Sequence, residues 1–194
     1  ALQRLTPVAG FAILLLLFVT GVYAVALYNQ LVLVKHNVVK AWANIDVLLK
    51  QRNDEIPKLI DVCRQYAQFE ASLLARLTST RAAAVAAQQG ASAHSVGRAE
   101  GALRAEVARV AAIAEAYPDL KANTTMITLM EELTSTENKV AFARQAYNDS
   151  VMAYNTQRET FPTNMVAGPF NFGPAELFVI EKPEEKEAPK VSFN

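Results

Sequence analysis

The sequence predicts an all-α protein in which a transmembrane helix continues into an antiparallel bundle of three or four long helices, followed by an extended C-terminal tail. An apolar run near the N-terminus is long enough to cross a bilayer. Apolar residues then recur every three or four positions, as in amphipathic helices. The 194 residues include only 7 Gly and 8 Pro, which cluster at apparent boundaries. The predicted parts are a short N-terminal segment, the membrane helix, the bundle and the tail: 1–7, 8–28, 29–164 and 165–194.

The apolar run, Val8–Leu27, contains 20 residues and lies within a stretch, Leu5–Val34, that has no charged residue. A helix of this length spans about 30 Å, the thickness of the hydrocarbon layer of a bilayer. A cleaved signal peptide has a shorter apolar core and a small-residue cleavage site, and a buried core helix needs fewer apolar residues in succession. We therefore predict a single membrane crossing. Arg4 precedes the run, and Lys35 and Lys40 follow it, so the positive-inside rule leaves the orientation open.

The first bundle helix continues directly from the membrane helix. An apolar stripe runs from Leu31 to Leu49, and no Gly or Pro interrupts it before Pro57. We expect the anchor and this helix to form one rod. The segment Asn53–Pro57 either ends this helix and begins the next, or kinks one longer helix. The second helix is predicted to reach about Gln88.

Two further helices are predicted. An Ala-rich helix covers about Val96–Ala116, after a loop at residues 88–95. The fourth helix begins at Thr124 or the next residue and reaches about Thr160, where Pro162 ends it. Its apolar residues repeat by three and four over several turns, which is typical of a coiled-coil seam.

The tail contains four prolines and an apolar cluster within residues 170–180. That cluster is too short to cross a membrane, so we expect it to pack on the bundle, bind a partner or touch the bilayer surface. The phenylalanines assigned to this contact are Phe170, Phe172 and Phe178. The last stretch, Glu181–Asn194, is charged and contains two prolines, so we expect it to be extended and partly disordered.

Several charged and amide side chains fall on helix faces that are otherwise apolar. We interpret them as buried ion pairs and hydrogen bonds that fix the register of the helices. This predicted helix-register network consists of Asp46, Arg52, Glu70, Glu137, Asn138 and Arg144. The alternative is a carboxylate site for catalysis or a metal. The sequence has no Glu-x-x-His motif for such a site, and its two histidines, His36 and His94, fall in a juxtamembrane stripe and a loop.

Other features argue against several function classes. The sequence contains no Gly-rich phosphate loop, nucleophile elbow, Cys-His pair or paired-cysteine zinc spacing. We therefore predict that the protein is not an enzyme and that it binds no cofactor and no metal. A single cysteine, Cys63, excludes an intramolecular disulfide and is most simply a small buried hydrophobic residue. With 19 basic and 19 acidic residues, the chain has no net positive charge to attract nucleic acid, and we predict no nucleic-acid partner.

Three Tyr-Asn dipeptides stand out: Tyr28-Asn29, Tyr147-Asn148 and Tyr154-Asn155. The last two are seven residues apart and therefore share one face of the fourth helix, while the first follows the membrane run. If the fourth helix is antiparallel to the first, the three pairs can meet near the membrane through ring stacking and amide hydrogen bonds. Three separate packing positions are the alternative.

Two blocks of residues resemble the bacterial LemA family. The first consists of Tyr28-Asn29-Gln30-Leu31-Val32, Asn37-Val38, Ala41-Trp42, Ile45-Asp46-Val47, Leu49, Arg52, Asp54, Ile56-Pro57, Leu59, Tyr66-Ala67 and Glu70. The second consists of Thr136-Glu137-Asn138, Val140-Ala141, Ala143-Arg144, Tyr147-Asn148, Val151, Tyr154-Asn155, Phe161-Pro162, Asn164 and Ala167. The blocks bracket most of residues 28–172. Asn53 stands where the family often has His, and Lys35-His36 varies a usually basic pair.

The resemblance implies an N-terminally anchored antiparallel helical bundle whose molecular role is largely unassigned. Some relatives are linked to bacterial membrane remodelling and magnetosome formation. Some carry a lipoprotein-type signal that ends just before the Tyr-Asn motif, which implies a bundle on the periplasmic side of the inner membrane.

We predict a non-enzymatic membrane scaffold whose partners are the lipid bilayer and other copies of the chain. Long amphipathic helices anchored in one plane favour lateral self-association, and symmetric homo-oligomers are the usual outcome. The alternative is an adaptor subunit that binds another envelope protein, such as a protease or receptor, through the apolar tail segment Phe170–Ile180.

Overall fold

The computed structural model describes residues 2–66, 70–90 and 92–179, with side chains from Ala9 onward. Its helices, in chain order, are α1 (Leu2–Arg64), α2 (Ala71–Gln88), α3 (Ala93–Ala114), α4 (Pro118–Lys121), α5 (Thr124–Glu159) and α6 (Asn164–Ala167). The described residues contain no strand, which confirms the all-α prediction. The charged stretch predicted to be extended, Glu181–Asn194, lies outside the described residues.

Helix α1 is uninterrupted, so at Asn53–Pro57 the structure shows one longer helix rather than a break. Pro57 has no N–H to donate to the carbonyl oxygen of Asn53, one turn earlier. The side chain of Arg81 on α2 takes that place, because its Nε donates to the Asn53 carbonyl oxygen at 2.7 Å. A contact from another helix therefore satisfies the carbonyl group that the proline leaves free.

Helix α1 ends at a position where the sequence predicts continued helix. The apolar periodicity predicts one helix from there to Gln88, whereas α1 ends at Arg64 and α2 begins at Ala71. The N–H groups of Gln65 and Tyr66 donate to carbonyl oxygens three residues earlier, at 3.2 and 3.1 Å, and so tighten the last turn. No Gly or Pro lies in this turn, so local sequence does not indicate it.

Helix α5 begins at Thr124, as predicted, whereas α3 begins at Ala93, inside the predicted loop; side-chain caps explain both starts. Ser92 Oγ accepts a hydrogen bond from the N–H of Ser95 at 3.3 Å. Asn123 Oδ1 accepts one from the N–H of Met126 at 3.1 Å. Each cap satisfies a backbone donor that has no partner within the helix, which fixes where the helix begins.

The chain divides into two compact units. The second unit contains Ala41–Asn148 together with residues 176–179, and its core is built by the end of α1 with α2, α3, α4 and α5. Cys63 is fully buried in this core, and burial raises the pKa of its thiol to about 11. The core residues are Ile56, Leu59, Ile60, Val62, Cys63, Leu73, Leu74, Leu77, Ala84, Leu103, Val110, Ala114, Leu120, Met126, Leu129 and Leu133.

The first unit contains residues 2–40 together with Asp149–Ala175. Its apolar run is exposed from Ala9 to Ala26 except at Ala24, which is half-buried; Phe18, for example, is 69% exposed. By length and composition this helix is a candidate membrane anchor. The first fully buried side chain described on α1 is Leu31, which lies in a small cluster with Tyr154, Ala167 and Phe172.

Candidate functional site

The dipeptide Tyr147-Asn148 on α5 binds the backbone of the tail. Tyr147 Oη donates to the carbonyl oxygen of Glu176 at 2.9 Å. Asn148 makes two bonds to Phe178: its Nδ2 donates to the carbonyl oxygen at 3.1 Å, and its Oδ1 accepts from the N–H at 2.9 Å. A side-chain amide presents a donor and an acceptor side by side, so Asn148 pairs with an extended residue as a neighbouring β-strand would.

The dipeptide Tyr154-Asn155 repeats this arrangement within the first unit. Tyr154 Oη donates to the carbonyl oxygen of Gly173 at 2.8 Å. Asn155 Nδ2 donates to the carbonyl oxygen of Ala175 at 2.9 Å, and its Oδ1 accepts from the N–H of Ala175 at 3.0 Å. In both dipeptides the tyrosine binds one tail residue and the asparagine binds the residue two positions later.

The spacing of the two dipeptides has a simple physical basis. Seven residues of α-helix advance about 10.5 Å, and three residues of extended chain advance about 10 Å. The tyrosines are seven residues apart, and their tail partners, Gly173 and Glu176, are three residues apart. Two Tyr-Asn dipeptides that are seven residues apart on a helix can therefore make the same hydrogen bonds to the backbone of one extended segment.

The two tyrosine hydroxyls act as donors, and burial further favours their protonated form. The pKa of Tyr147 is raised, mainly by burial and in addition by the negative charge of Glu176. The pKa of Tyr154 is also raised by burial, and Arg158 opposes that shift. Both hydroxyls are therefore neutral donors throughout the physiological pH range.

Aromatic packing and a close backbone approach secure the end of the tail within the second unit. Phe178 is fully buried, and its ring lies 5.5 Å from that of Trp42, which in turn lies 5.2 Å from the ring of Tyr147. A Cβ at Gly97 on α3 would overlap the carbonyl oxygen of Val179 and lie 2.9 Å from its carbonyl carbon. Glycine at this position lets the tail backbone rest directly on the helix.

The Tyr-Asn dipeptides bind the tail, and no described hydrogen bond or ring contact joins one dipeptide to another. Tyr28 instead contacts two tail rings, Phe170 at 5.0 Å and Phe172 at 5.6 Å between centroids, and Asn29 is exposed. The three tail phenylalanines have different environments, because Phe172 and Phe178 are buried whereas Phe170 is 61% exposed.

A buried ion cluster lies in the second unit. Arg52 on α1 is 3% exposed and pairs with Glu137 on α5, with 2.7 Å between Nη1 and Oε2, and with Glu100 on α3. Arg104 Nε lies 3.2 Å from Glu137 Oε1, and Gln88 Nε2 donates to Glu100 Oε1 at 3.0 Å. Loss of hydration lowers the pKa of Arg52, and Glu137 opposes that shift. Two positive and two negative charges thus meet where three helices converge.

Of the residues predicted to form the helix-register network, the structure brings together Arg52 and Glu137. Asp46 and Asn138 are exposed, and Arg144 is half-buried on α5. Glu70 accepts a hydrogen bond from Ser72 at the start of α2. Sequence reasoning missed Glu100, the fully buried member of the ion cluster. Its spacing with Leu103, Val107 and Val110 places it on the apolar stripe of α3, and that pattern could have identified it.

The second unit also carries an open apolar groove between α3 and α5, with a volume of about 640 Å³. Its apolar lining is formed by Ala111, Ala114, Met126, Ile127 and Met130. Charged lining residues are Glu115, Lys121 and Glu131. Among the residues that the structure describes, no three His, Cys, Asp or Glu side chains are grouped as a metal ion would require.

The chain is similar to one protein family and to two magnetosome proteins. The model of the LemA family matches residues 41–193. The magnetosome proteins MamQ 1 and MamQ 2 of Paramagnetospirillum magneticum are each 24% identical to the chain over 202 aligned positions, which cover 91% of this chain and 74% of each relative. Because the family model spans most of the chain, the protein belongs to the LemA family.

Proposed function

We propose that this protein is a non-enzymatic, membrane-anchored scaffold that self-associates in the bacterial inner membrane and takes part in membrane organisation or remodelling. Its relatives MamQ 1 and MamQ 2 are named magnetosome proteins, which favours a role in the bacterial envelope. The observation that carries the proposal is the open apolar groove between α3 and α5.

The groove suits a helix from a second copy. Alanines at positions 111 and 114 allow a close approach, and the flexible methionines 126 and 130 adapt to the shape of a partner surface. Charged residues also line the groove, so an amphipathic helix would find both apolar and polar contacts. A membrane anchor confines copies to one plane and raises their effective concentration, so a modest affinity is enough for association.

The tail is a less suitable docking element for an adaptor role. Two of its phenylalanines, Phe172 and Phe178, are buried against the chain itself, and their backbone segment is held by Tyr-Asn dipeptides. A partner that used them would first have to displace these contacts. An envelope protein that binds through the seated tail would meet the exposed side chains of Leu177 and Val179.

The test uses the full chain reconstituted in phospholipid nanodiscs and analysed by native mass spectrometry. We expect oligomers of the wild type and a shift to monomers in Ile127→Lys, which places a charge in the groove. The matched control is Phe142→Lys, since Phe142 is 75% exposed on the same helix and does not line the groove. Monomers alone in the wild type would contradict self-association, and a stoichiometric foreign protein in native preparations would favour the adaptor role.

We further propose that the bundle lies on the periplasmic side, which the resemblance to relatives with a lipoprotein-type signal favours. A Phe142→Cys variant in a Cys63→Ala background tests this, because residue 142 is exposed on α5. A maleimide that cannot cross the inner membrane should label it in spheroplasts. Labelling only after the membrane is opened would place the bundle in the cytoplasm.

A further inference from the structure

The segment that follows α5 exposes three large apolar side chains. Phe161 is 73% exposed, Met165 is 68% exposed and Phe170 is 61% exposed. We call Thr160–Phe170 the tip. It lies within a stretch, Thr160–Ala175, that has no charged residue. This surface can therefore leave water without the cost of removing a charge from its hydration shell.

The opposite side of the tip is fixed against the protein. Thr163 and Ala167 are buried, and Ala167 belongs to the cluster that contains Leu31 of α1 and Tyr154 of α5. Phe161 precedes the short helix α6 and Met165 lies within it, and both side chains are exposed rather than part of that cluster. The tip therefore has a buried side held against the protein and an exposed side that carries the three apolar side chains.

The tip lies where the apolar run of α1 ends. Tyr28 is the first residue after Leu27, and its ring contacts those of Phe170 and Phe172 in edge-to-face geometry. Tyrosine is enriched at the membrane–water interface, since its ring is apolar and its hydroxyl is polar. The tip is therefore at the depth at which the hydrocarbon layer gives way to headgroups.

Lys35 is the first charged residue on α1 after the apolar run, and its position suits contact with the headgroup layer. Lys35 is exposed, and its amine lies 5.6 Å from the centroid of the Phe172 ring. Seven residues of helix separate it from Tyr28, which amounts to about 10 Å along the helix axis. The headgroup layer is about 5–8 Å thick on each side of the hydrocarbon. A lysine at this height can reach lipid phosphates with its flexible side chain.

We propose that the tip is a second membrane contact, in which Phe161, Met165 and Phe170 insert into the interfacial layer of the same bilayer that α1 crosses. The occupant of this surface is lipid, because the surface is continuous with the lipid-exposed run of α1 and carries no charge. The tip would then oppose tilting of α1 and hold the end of α5 at the membrane surface. This inference rests on the membrane anchor of the proposed function but not on self-association.

The test measures the depth of spin labels in the full chain, reconstituted into vesicles of phosphatidylcholine and phosphatidylglycerol. In a Cys63→Ala background, single cysteines are placed at 161, 165 or 170 and labelled with a nitroxide. We expect each label to collide more with oxygen and less with a water-soluble nickel chelate than a label at Val39, an exposed apolar residue further along α1. A label at Phe18, within the apolar run, provides the reference for a deep position.

Each other outcome overturns the inference in a distinguishable way. Tip labels that match the Val39 label, while the Phe18 label reports lipid, would show an intact anchor and a tip in water. Tip labels shielded from both reagents would show that protein, such as a second copy, covers this surface. A Phe18 label in water would overturn the anchor itself. A second measurement preserves an aromatic ring at position 161. In a Phe161→Trp variant with Trp42→Phe, brominated lipids should quench the tryptophan fluorescence.

Discussion

Replacing Asn148 by alanine should detach the end of the tail from α5. The asparagine makes two hydrogen bonds to the backbone of Phe178, at 3.1 and 2.9 Å, and Phe178 is fully buried. Each such bond contributes about 1 kcal/mol net, so the variant should destabilise the seated tail by about 2 kcal/mol. At 1.36 kcal/mol per tenfold change, this corresponds to about a 30-fold increase in opening of this segment.

Hydrogen–deuterium exchange of the Phe178 amide measures that opening in the full chain in nanodiscs. We expect exchange about 30-fold faster in Asn148→Ala than in the wild type, because in native-state exchange the rate follows the equilibrium for local opening. The matched control is Asn138→Ala, an exposed asparagine on the same helix that lines the groove between α3 and α5 and lies ten residues from Asn148. Both substitutions raise helix propensity equally, so that effect cancels. Equal exchange rates in the two variants would refute the view that the asparagine amide holds the tail.

Three further predictions follow from buried groups in the second unit. Arg52→Ala should lower the free energy of unfolding by about 3–5 kcal/mol, because it leaves a buried glutamate without its cation. Thermal unfolding followed by circular dichroism measures this loss. Arg104→Ala, on the exposed side of the cluster, should lower it by less than about 1 kcal/mol. Gly97→Ala should accelerate exchange in the tail, since its Cβ would overlap the tail backbone, whereas Gly90→Ala, with no atom within 4 Å, should not. The thiol of Cys63 should resist Ellman's reagent at pH 8 until the chain unfolds. With a folded pKa of about 11, above its ordinary value of 9.0, its contribution to stability should be lost as pH rises between these values, and Cys63→Ala should reduce that decline.

Helix content and the candidate anchor could be predicted from local sequence. The 20-residue apolar run and the three-and-four periodicity are patterns that a single segment of sequence contains. The end of α1 could not be predicted from local sequence, because residues such as Gln65 and Tyr66 are compatible with helix. Helix α2 packs Leu73, Leu74 and Leu77 into the core, and that packing depends on residues far away in sequence.

In the candidate site, too, the sequence indicated some of the residues, whereas their partners depend on the tertiary structure. The periodicity placed Arg52 and Glu137 on apolar faces, but Glu100 completes the cluster only because α3 packs beside α1 and α5. The Tyr-Asn dipeptides were conspicuous in sequence, whereas their bonding partners are backbone groups of the tail. Backbone N–H and C=O groups are common to all non-proline residues, so no side-chain pattern identifies them as partners.

The sequence by itself determined that this protein is helical, that it carries a candidate membrane anchor, and that its charged residues on apolar faces need partners. These properties depend on composition and on spacing within one helix. Only the tertiary structure decided which phenylalanines of the tail are buried and which is exposed beside Tyr28, because that choice depends on how an extended chain lies against helices. The exposed tip is therefore a property of the folded chain that apolar content alone could not assign.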